Sequence, residues 1–241
     1  MIVLYTDFGN EGPYLGQIYS VLVQHAGSVP IINLFANAPS FNPVASAYLL
    51  AAYCNDFPVN TVFLCVVDPG VGGNRKPVMV EVDGRYFVGP DNGLFNVISM
   101  RGSEVKWWEI TWQPEKMSDS FHGRDLFAPV VAQIAVGKYP QTRELDAESS
   151  IDRSWDKDYP AIIYIDHFGN AISGITVSEN HLKRHISVNN HILSYARTFS
   201  EAAPGECFWY KNANGLLEIA SNQANASNQL NINVGHKIQW Q

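Results

Sequence analysis

An aspartate closes the first apolar run of the chain. Ile2–Tyr5 gives way to Thr6-Asp7-Phe8-Gly9, an acid beside an aromatic ring and a glycine. An acid at the carboxyl end of a parallel strand stands where α/β folds bind ligands, and a carboxylate can accept two hydrogen bonds from a ribose diol. The same placement suits a turn or a helix-capping aspartate. A second acid, Asp68, follows the apolar run Thr61–Val67 and opens the loop Pro69-Gly70-Val71-Gly72-Gly73, with Arg75 two residues beyond it. An acid and a guanidinium around a glycine loop make an ion pair, either facing a cleft or lying on the surface. The loop lacks the Gly-Lys-Ser/Thr ending of a phosphate loop and the spacing of a dinucleotide loop. His122 stands in Phe121-His122-Gly123-Arg124-Asp125, just before an apolar segment. Imidazole is the usual proton acceptor near neutral pH, although isolated histidines are often structural. Asp166-His167-Phe168-Gly169-Asn170 again groups an acid, an aromatic and an amide, and also reads as a plain turn.

Several chemistries lack their residues. Of the seven histidines only His181 and His185 stand at His-x-x-x-His spacing, and no metal site is expected from the histidines. Asp7, Asp68 and Asp91 are carboxylates that a fold could bring onto one cation, which keeps a metal-dependent nucleotide phosphohydrolase as an alternative. No Gly-x-Ser-x-Gly elbow is present for a serine hydrolase. Gly89-Pro90-Asp91-Asn92-Gly93 has the composition of a turn.

The elements that would position these residues alternate in the first half. Strands are expected at Ile2–Tyr5, Ile31–Leu34 and Thr61–Val67. Helices are expected at Tyr14–His25, where apolar residues recur every three or four positions, and at Pro43–Cys54, where proline opens the run. Val78–Val82 and Tyr86–Val88 flank Asp83-Gly84, a hairpin signal. Phe127–Val136 reads as a further helix. The polar stretch Ser149–Pro160 reads as a linker, and beyond it short strands such as Ala161–Asp166, Glu206–Tyr210 and Leu216–Ala220 are separated by Gly and Asn turns. Alternation of Leu230, Ile232 and Val234 suggests one more strand in the Asn-rich tail. The expected fold class is α/β. An N-terminal domain, residues 1–150, holds a central, mostly parallel sheet, and a smaller all-β, barrel-like domain occupies residues 159–241.

Composition narrows the partners. In 241 residues, 16 Lys and Arg stand against 23 Asp and Glu, a net charge of −7. The first Lys or Arg is Arg75. Counterion release on nucleic acid needs clustered bases, so no nucleic-acid surface is expected. No apolar stretch approaches a membrane-spanning length, and the opening residues lack the features of a secretory signal. Cys54, Cys65 and Cys207 are widely spaced and sit in apolar segments, which predicts free thiols and a cytoplasmic setting.

The motifs taken together are far more specific than any one of them. TDFG at 6–9, VVDPGVG at 66–72, GPDNGL at 89–94, FHGRDLFAPVVA at 121–132, DHFGN at 166–170 and NANGLLEIASNQ at 212–223 occur in this order. The chain thereby resembles the S-adenosyl-L-methionine hydrolases (adenosine-forming), also called S-adenosylmethionine hydroxide adenosyltransferases, relatives of the fluorinating and chlorinating enzymes. The resemblance runs over nearly the whole chain. It implies hydrolysis of S-adenosyl-L-methionine to adenosine and L-methionine. It also implies a homotrimer with sites between subunits, and no cofactor. The catalytic set falls on Asp68, Arg75 and His122, and the halogenating relatives lack it. By the same resemblance Asp7 holds the ribose hydroxyls, Phe41 stands near the sugar and methionine end, and Asp166 faces the methionine amine. Asn170 and Asn222 serve the adenine side, Phe168 and Phe199 flank the base, and Asn212 lies near the methionine carboxylate. Departures from the family pattern are Gly12, Tyr19-Ser20 and Ala213, the last removing a hydroxyl near that carboxylate. They leave a trimeric binder of S-adenosylmethionine or adenosine, without turnover, as a non-enzymatic alternative. In the expected reaction Arg75 stabilises hydroxide character, His122 accepts or relays the proton, and Asp68 orients them or binds the water.

Overall fold

The computed structural model describes residues 1–182 and 184–241. Two compact units account for them, Met1–Leu50 with Cys54–Trp155, and Ala51–Tyr53 with Asp156–Gln241.

In the first unit the alternating pattern becomes β1 (Ile2–Thr6), α1 (Tyr14–Ala26), β2 (Ile31–Phe35), α2 (Pro43–Tyr53), β3 (Val62–Val66), β4 (Pro77–Val82), β5 (Arg85–Pro90), α3 (Asn96–Arg101), β6 (Val105–Ile110), α4 (Ala128–Ala135) and β7 (Thr142–Leu145). The seven strands form one sheet in the order β2-β1-β3-β5-β4-β6-β7. β2, β1, β3 and β5 pair in parallel, and the pairings β5-β4, β4-β6 and β6-β7 are antiparallel, so only β4 and β7 run against the rest. β1 and β3 are buried along their whole length, as continuous apolar runs covered on both faces must be. Ile2 and Leu4 join Val62, Leu64, Ile18, Leu22, Val130 and Val131 in one core, which fixes α1 and α4 on one face. Tyr5 points to the other face and donates to the Ser46 carbonyl in α2 at 2.9 Å. The Asp83-Gly84 signal is realised as a two-residue turn, both residues at positive φ (47° and 76°), as the primed hairpin turns require.

The chain order of this sheet has a consequence for ligand binding. From β1 the chain crosses through α1 to β2 on one side, and from β2 it returns through α2 to β3 on the other side of β1. The carboxyl ends of β1 and β3 therefore flank a topological switch point, the crevice where open α/β sheets bind ligands. Thr6 and Val66 are register partners there, so the residues that follow them, Asp7 and the Val67-Asp68 pair, leave the sheet side by side.

The second unit is antiparallel. β8 (Tyr159–Ile165), β9 (Ala171–Thr176), β10 (Ile186–Val188), β11 (His191–Leu193), β12 (Cys207–Lys211), β13 (Leu216–Ser221) and β14 (Ile238–Trp240) form a four-stranded sheet, β12-β13-β9-β8, and a three-stranded one, β11-β10-β14. Ile162, Ile175, Val188, Trp209, Leu217, Ile219 and Ile238 share its core. The strand expected at Leu230–Val234 is absent. Ala226–Leu230 is a short helix, capped by the Asn225 side chain, which accepts from Asn228 N–H at 2.8 Å, and closed by Asn231 at φ 50°. Asparagine caps outweigh a three-residue alternation, which still buries Leu230 and Ile232.

Candidate active site

A cavity of about 350 Å³ opens at the switch point, within the first unit. Asp7, Phe8, Tyr14, Phe41, Val66, Asp68, Val71, Ser120, Phe121, His122 and Gly123 line it. Sequence reasoning placed Asp7, Phe41, Asp68, Arg75 and His122 in a site, and four of those five face this space.

Arg75 stands behind the wall. Its Nε donates to Asp68 Oδ1 and Oδ2 at 3.2 and 3.0 Å, and its Nη2 donates to Oδ2 at 2.6 Å. The same Nη2 lies 2.8 Å from His122 Nδ1. The ion pair is nearly dry, with 10% of the Arg75 side chain and 4% of the Asp68 side chain exposed. The Arg75 guanidinium also lies over the Phe127 ring, 5.5 Å from its centre. A guanidinium has only donors, so Nδ1 of His122 must accept, and His122 is neutral with its proton on Nε2. Burial lowers the His122 pKa, and the Arg75 charge lowers it further against the opposing pull of Asp68. Nε2 has no hydrogen-bond partner among the described residues.

The glycine loop lets these groups meet. Gly72 sits at φ 78°, and a side chain there would come within 2.7 Å of the Asp119 carbonyl oxygen. The segment carrying His122 is fixed from the other side. Arg124 pairs with Asp125 at 2.6 Å and donates to Gln17 in α1 at 2.7 Å, while Asp125 accepts from Ser118 N–H at 2.8 Å. Residues Gly123–Phe127 form a π-helical turn before α4, a distortion common at functional sites.

Asp7 accepts the backbone N–H of Phe41 at 3.0 Å. Burial raises its pKa, the Phe41 hydrogen bond opposes that, and the nearby Asp68 charge adds to it. Phe41 is held at φ 56°, a region that bulky residues rarely adopt, and its side chain is 79% exposed. Backbone strain of this kind clusters at ligand-binding sites.

The remaining predicted residues lie in the second unit. Phe168, Asn170 and Phe199 line a separate cavity with Ser221, Gln223 and Ala224. Asp166 organises its rim. Oδ1 accepts from Phe168 N–H at 2.9 Å and Asn170 N–H at 2.8 Å, and Oδ2 accepts from Asn170 Nδ2 at 2.9 Å. Asn222 and Asn212 are tied internally. Asn222 donates to the Ala202 carbonyl at 2.8 Å. Asn212 accepts from Asn214 and Leu216 N–H at 3.0 and 2.9 Å and donates to Glu218 at 2.9 Å.

Two features escaped the sequence reading. Phe8, Tyr14 and Phe121 form an aromatic corner in the first cavity. Glu218 is a buried carboxylate that accepts from Tyr210 Oη at 2.5 Å and from Asn212, and burial raises its pKa. A lone acid inside the apolar run LEIA was its only signal.

Asp91, required by the phosphohydrolase alternative, is not among the residues lining the cavity, and Asp68 is already committed to Arg75. Among the described residues no group of three His, Cys, Asp or Glu side chains is arranged to hold a metal ion. No helix among them is long and apolar enough to cross a membrane.

Comparison with known proteins decides the family. Residues 2–144 match the N-terminal domain of the SAM hydroxide adenosyltransferases, and residues 160–239 match their C-terminal domain. The chain belongs to the SAM hydroxide adenosyltransferase family. Among its relatives, the (R)-S-adenosyl-L-methionine hydrolase of Methanocaldococcus jannaschii is 31% identical over 99% of this chain and 95% of that protein. The (R)-S-adenosyl-L-methionine hydrolase of Thermus thermophilus is 30% identical over 97% of this chain and 96% of that protein. The solved structure of an uncharacterised conserved protein from Thermotoga maritima superposes with a TM-score of 0.85 at 28% identity, covering 100% of this chain and 99% of the other. In this SAM hydroxide adenosyltransferase Asp68, Arg75 and His122 are joined by hydrogen bonds.

Proposed function

We propose that this protein is an enzyme that hydrolyses S-adenosyl-L-methionine, with water attacking the ribose 5′-carbon in line with the sulfonium, to give adenosine and L-methionine. The observation that carries the reading is the hydrogen-bonded chain Asp68–Arg75–His122, with its two outer members facing one cavity at the switch point. The family and the hydrolase names of its relatives supply the substrate.

The chemistry is governed by the nucleophile. Methionine leaves as a neutral thioether, so sulfur needs no proton. Bulk water has a pKa of about 15.7 and attacks poorly unless a base draws its proton away. His122 offers Nε2–H, a donor, because its basic nitrogen is capped by Arg75. It therefore holds the water oxygen rather than deprotonating it. Asp68 keeps a free lone pair on Oδ1 beyond the single Arg75 bond there, so its carboxylate is the proton acceptor. As the oxygen–carbon bond forms, the carbon–sulfur bond breaks, its electron pair stays on sulfur, and the water proton passes to Asp68 and then to solvent. Arg75 acts through both neighbours as a positioning residue, a different role from the hydroxide holder that the sequence alone suggested. Fixing the attacking atom behind the carbon supplies several kcal/mol, on the order seen in oriented intramolecular reactions.

Asp7 is assigned to the ribose hydroxyls, Phe41 to the sugar and methionine end, and residues 1–150 to the catalytic domain. Asp166, Phe168, Asn170, Phe199, Asn212 and Asn222 are assigned to the rest of the ligand, the last two also bracing their own loops. A homotrimer and a cytoplasmic setting complete the proposal. Exposed aromatic rings at both cavities, Phe41 and Phe168, support the first, and Cys54, Cys65 and Cys207, which form no disulfide among the described residues, support the second.

The test is incubation with S-adenosyl-L-methionine in ¹⁸O-labelled water. Adenosine carrying the label at the 5′-oxygen is expected. Unlabelled adenosine, or no adenosine after prolonged incubation, would overturn the reading.

A further inference from the structure

The first cavity combines a net negative charge with an aromatic corner. Asp7 and Asp68 both line it. The Asp68 charge is balanced by Arg75 at 2.6 Å, and His122 is neutral, so Asp7 leaves the space with one uncompensated negative charge. Beside these groups, Phe8 and Tyr14 meet with ring centres 6.1 Å apart and planes inclined at 48°. Phe121 braces both, edge-to-face, at 5.8 Å from Phe8 and 5.5 Å from Tyr14. Arg124 already lies over the Phe121 ring at 5.1 Å, so Phe121 serves the corner as a support. Gly123 makes room for it, since a side chain there would come within 3.0 Å of the Phe8 ring.

Inclined rings facing a space without a free cation form the kind of cage that receives methylated cations, because the ring faces are electron-rich and hold such a cation at small desolvation cost. We propose that Tyr14 and Phe8 form the sulfonium subsite of this enzyme and set its preference for a cationic over a neutral sulfur. The proposal rests on the substrate reading above and adds to it which residues recognise the charge. It also supplies a route for product release. The sulfonium becomes a neutral thioether in the reaction, so the corner's attraction for that end of the ligand disappears when the bond breaks.

The test compares two ligands that differ by one methyl group and one charge at sulfur. Binding of S-adenosylmethionine and S-adenosylhomocysteine is measured by calorimetry on His122→Ala protein, so that turnover does not interfere. Tyr14→Leu and Phe8→Leu are then added singly to that background. Each leucine variant should weaken the cation about tenfold and the neutral thioether less than about twofold, and Tyr14→Phe should restore cation binding. Tyr14 is half-exposed at the start of α1, so its substitution leaves the fold intact even where that of Phe8 does not. Equal losses for both ligands, or no loss for the cation with Tyr14→Leu, would overturn the subsite. Adenosine formed by the wild-type protein alongside such a result removes only the subsite. Absence of both binding and adenosine removes the proposed function with it.

Discussion

Arg75 donates from Nη2 to Nδ1 of His122 at 2.8 Å while holding Asp68 with the same nitrogen at 2.6 Å. One guanidinium thus fixes the tautomer of a histidine and the orientation of a carboxylate. The roles follow from valence rather than from distance. A nitrogen that accepts from arginine cannot also accept from water, so in the proposed reaction the proton leaves toward Asp68. The low His122 pKa belongs to the same arrangement, because a second proton on the ring would face Arg75 directly.

Replacing His122 separates donor from base. Gln at position 122 can present an N–H near the place of Nε2, whereas Ala cannot. His122→Ala should lower kcat by about 100-fold or more, in the range for losing one preorganised donor, and His122→Gln should recover at least about tenfold of that loss. Equal activity in the two variants would remove the donor role. The kcat–pH profile adds a sign. The neutral ring is the working form and its pKa is lowered, so activity should stay level from pH 8 down to the ordinary histidine value near 6.5 and fall only below it. A histidine limb centred above 6.5 would contradict the assignment.

Arg75→Lys tests the shared contact. Lysine has a single ammonium and cannot reproduce the forked bonds to Asp68 together with the one to His122. With Asp68 almost dry, removing its partner outright leaves a buried charge, and Arg75→Ala should cost about 3 kcal/mol of stability and at least tenfold in kcat. Arg75→Lys should regain most of the stability but little of the kcat. Thermal unfolding and initial rates on the same preparations check both halves, and full recovery of kcat by lysine would show that charge alone suffices.

Much of this was legible in the sequence, for identifiable reasons. β1 and β3 are short apolar runs followed by acids, and a parallel sheet places such ends together, so the meeting of Asp7 and Asp68 at one cavity was legible before any coordinates. His122 and Arg75 were legible as residue types, but their mutual bond was not, because it depends on how the loop after β3 meets the turn before α4. Tyr14 was hidden by its position, since a ring at the start of a helix reads as core packing. Asn212 and Asn222 were read as ligand contacts from the family resemblance, and the hydrogen bonds that tie each to its own loop were not legible. The strand expected at Leu230–Val234 failed because the Asn225 side chain caps a helix there and the Asn231 backbone ends it.

Phe41 allows stability and binding to be separated. Its backbone sits at φ 56°, which glycine adopts freely, and its ring is mostly exposed, so the fold gains little from the side chain. Phe41→Gly should therefore leave the stability within about 1 kcal/mol of wild type, relief of the left-handed conformation offsetting the added backbone entropy. KM for S-adenosylmethionine should rise about tenfold if the ring closes over the sugar. A large fall in melting temperature would mean that the ring supports the fold, and an unchanged KM would remove Phe41 from the site.

Glu218 gives a prediction in the second unit. Burial raises its pKa above the ordinary glutamate value, in spite of hydrogen bonds from Tyr210 and Asn212 that favour the charged form. In the window between the ordinary and the raised value the folded protein binds more protons than the unfolded chain, so this group's contribution to stability is full at low pH and is lost as pH rises through the raised value. Gln cannot ionise and carries no such dependence. The melting temperature of Glu218→Gln minus that of the wild type should therefore become more positive, or less negative, between about pH 4.5 and pH 7. Taking the difference cancels Asp7 and Asp91, whose pKa values are raised by burial as well. A difference that stays constant over that range would show that the hydrogen bonds from Tyr210 and Asn212 fully offset the burial of the charge, leaving Glu218 with a purely structural role in holding the loop of Asn212.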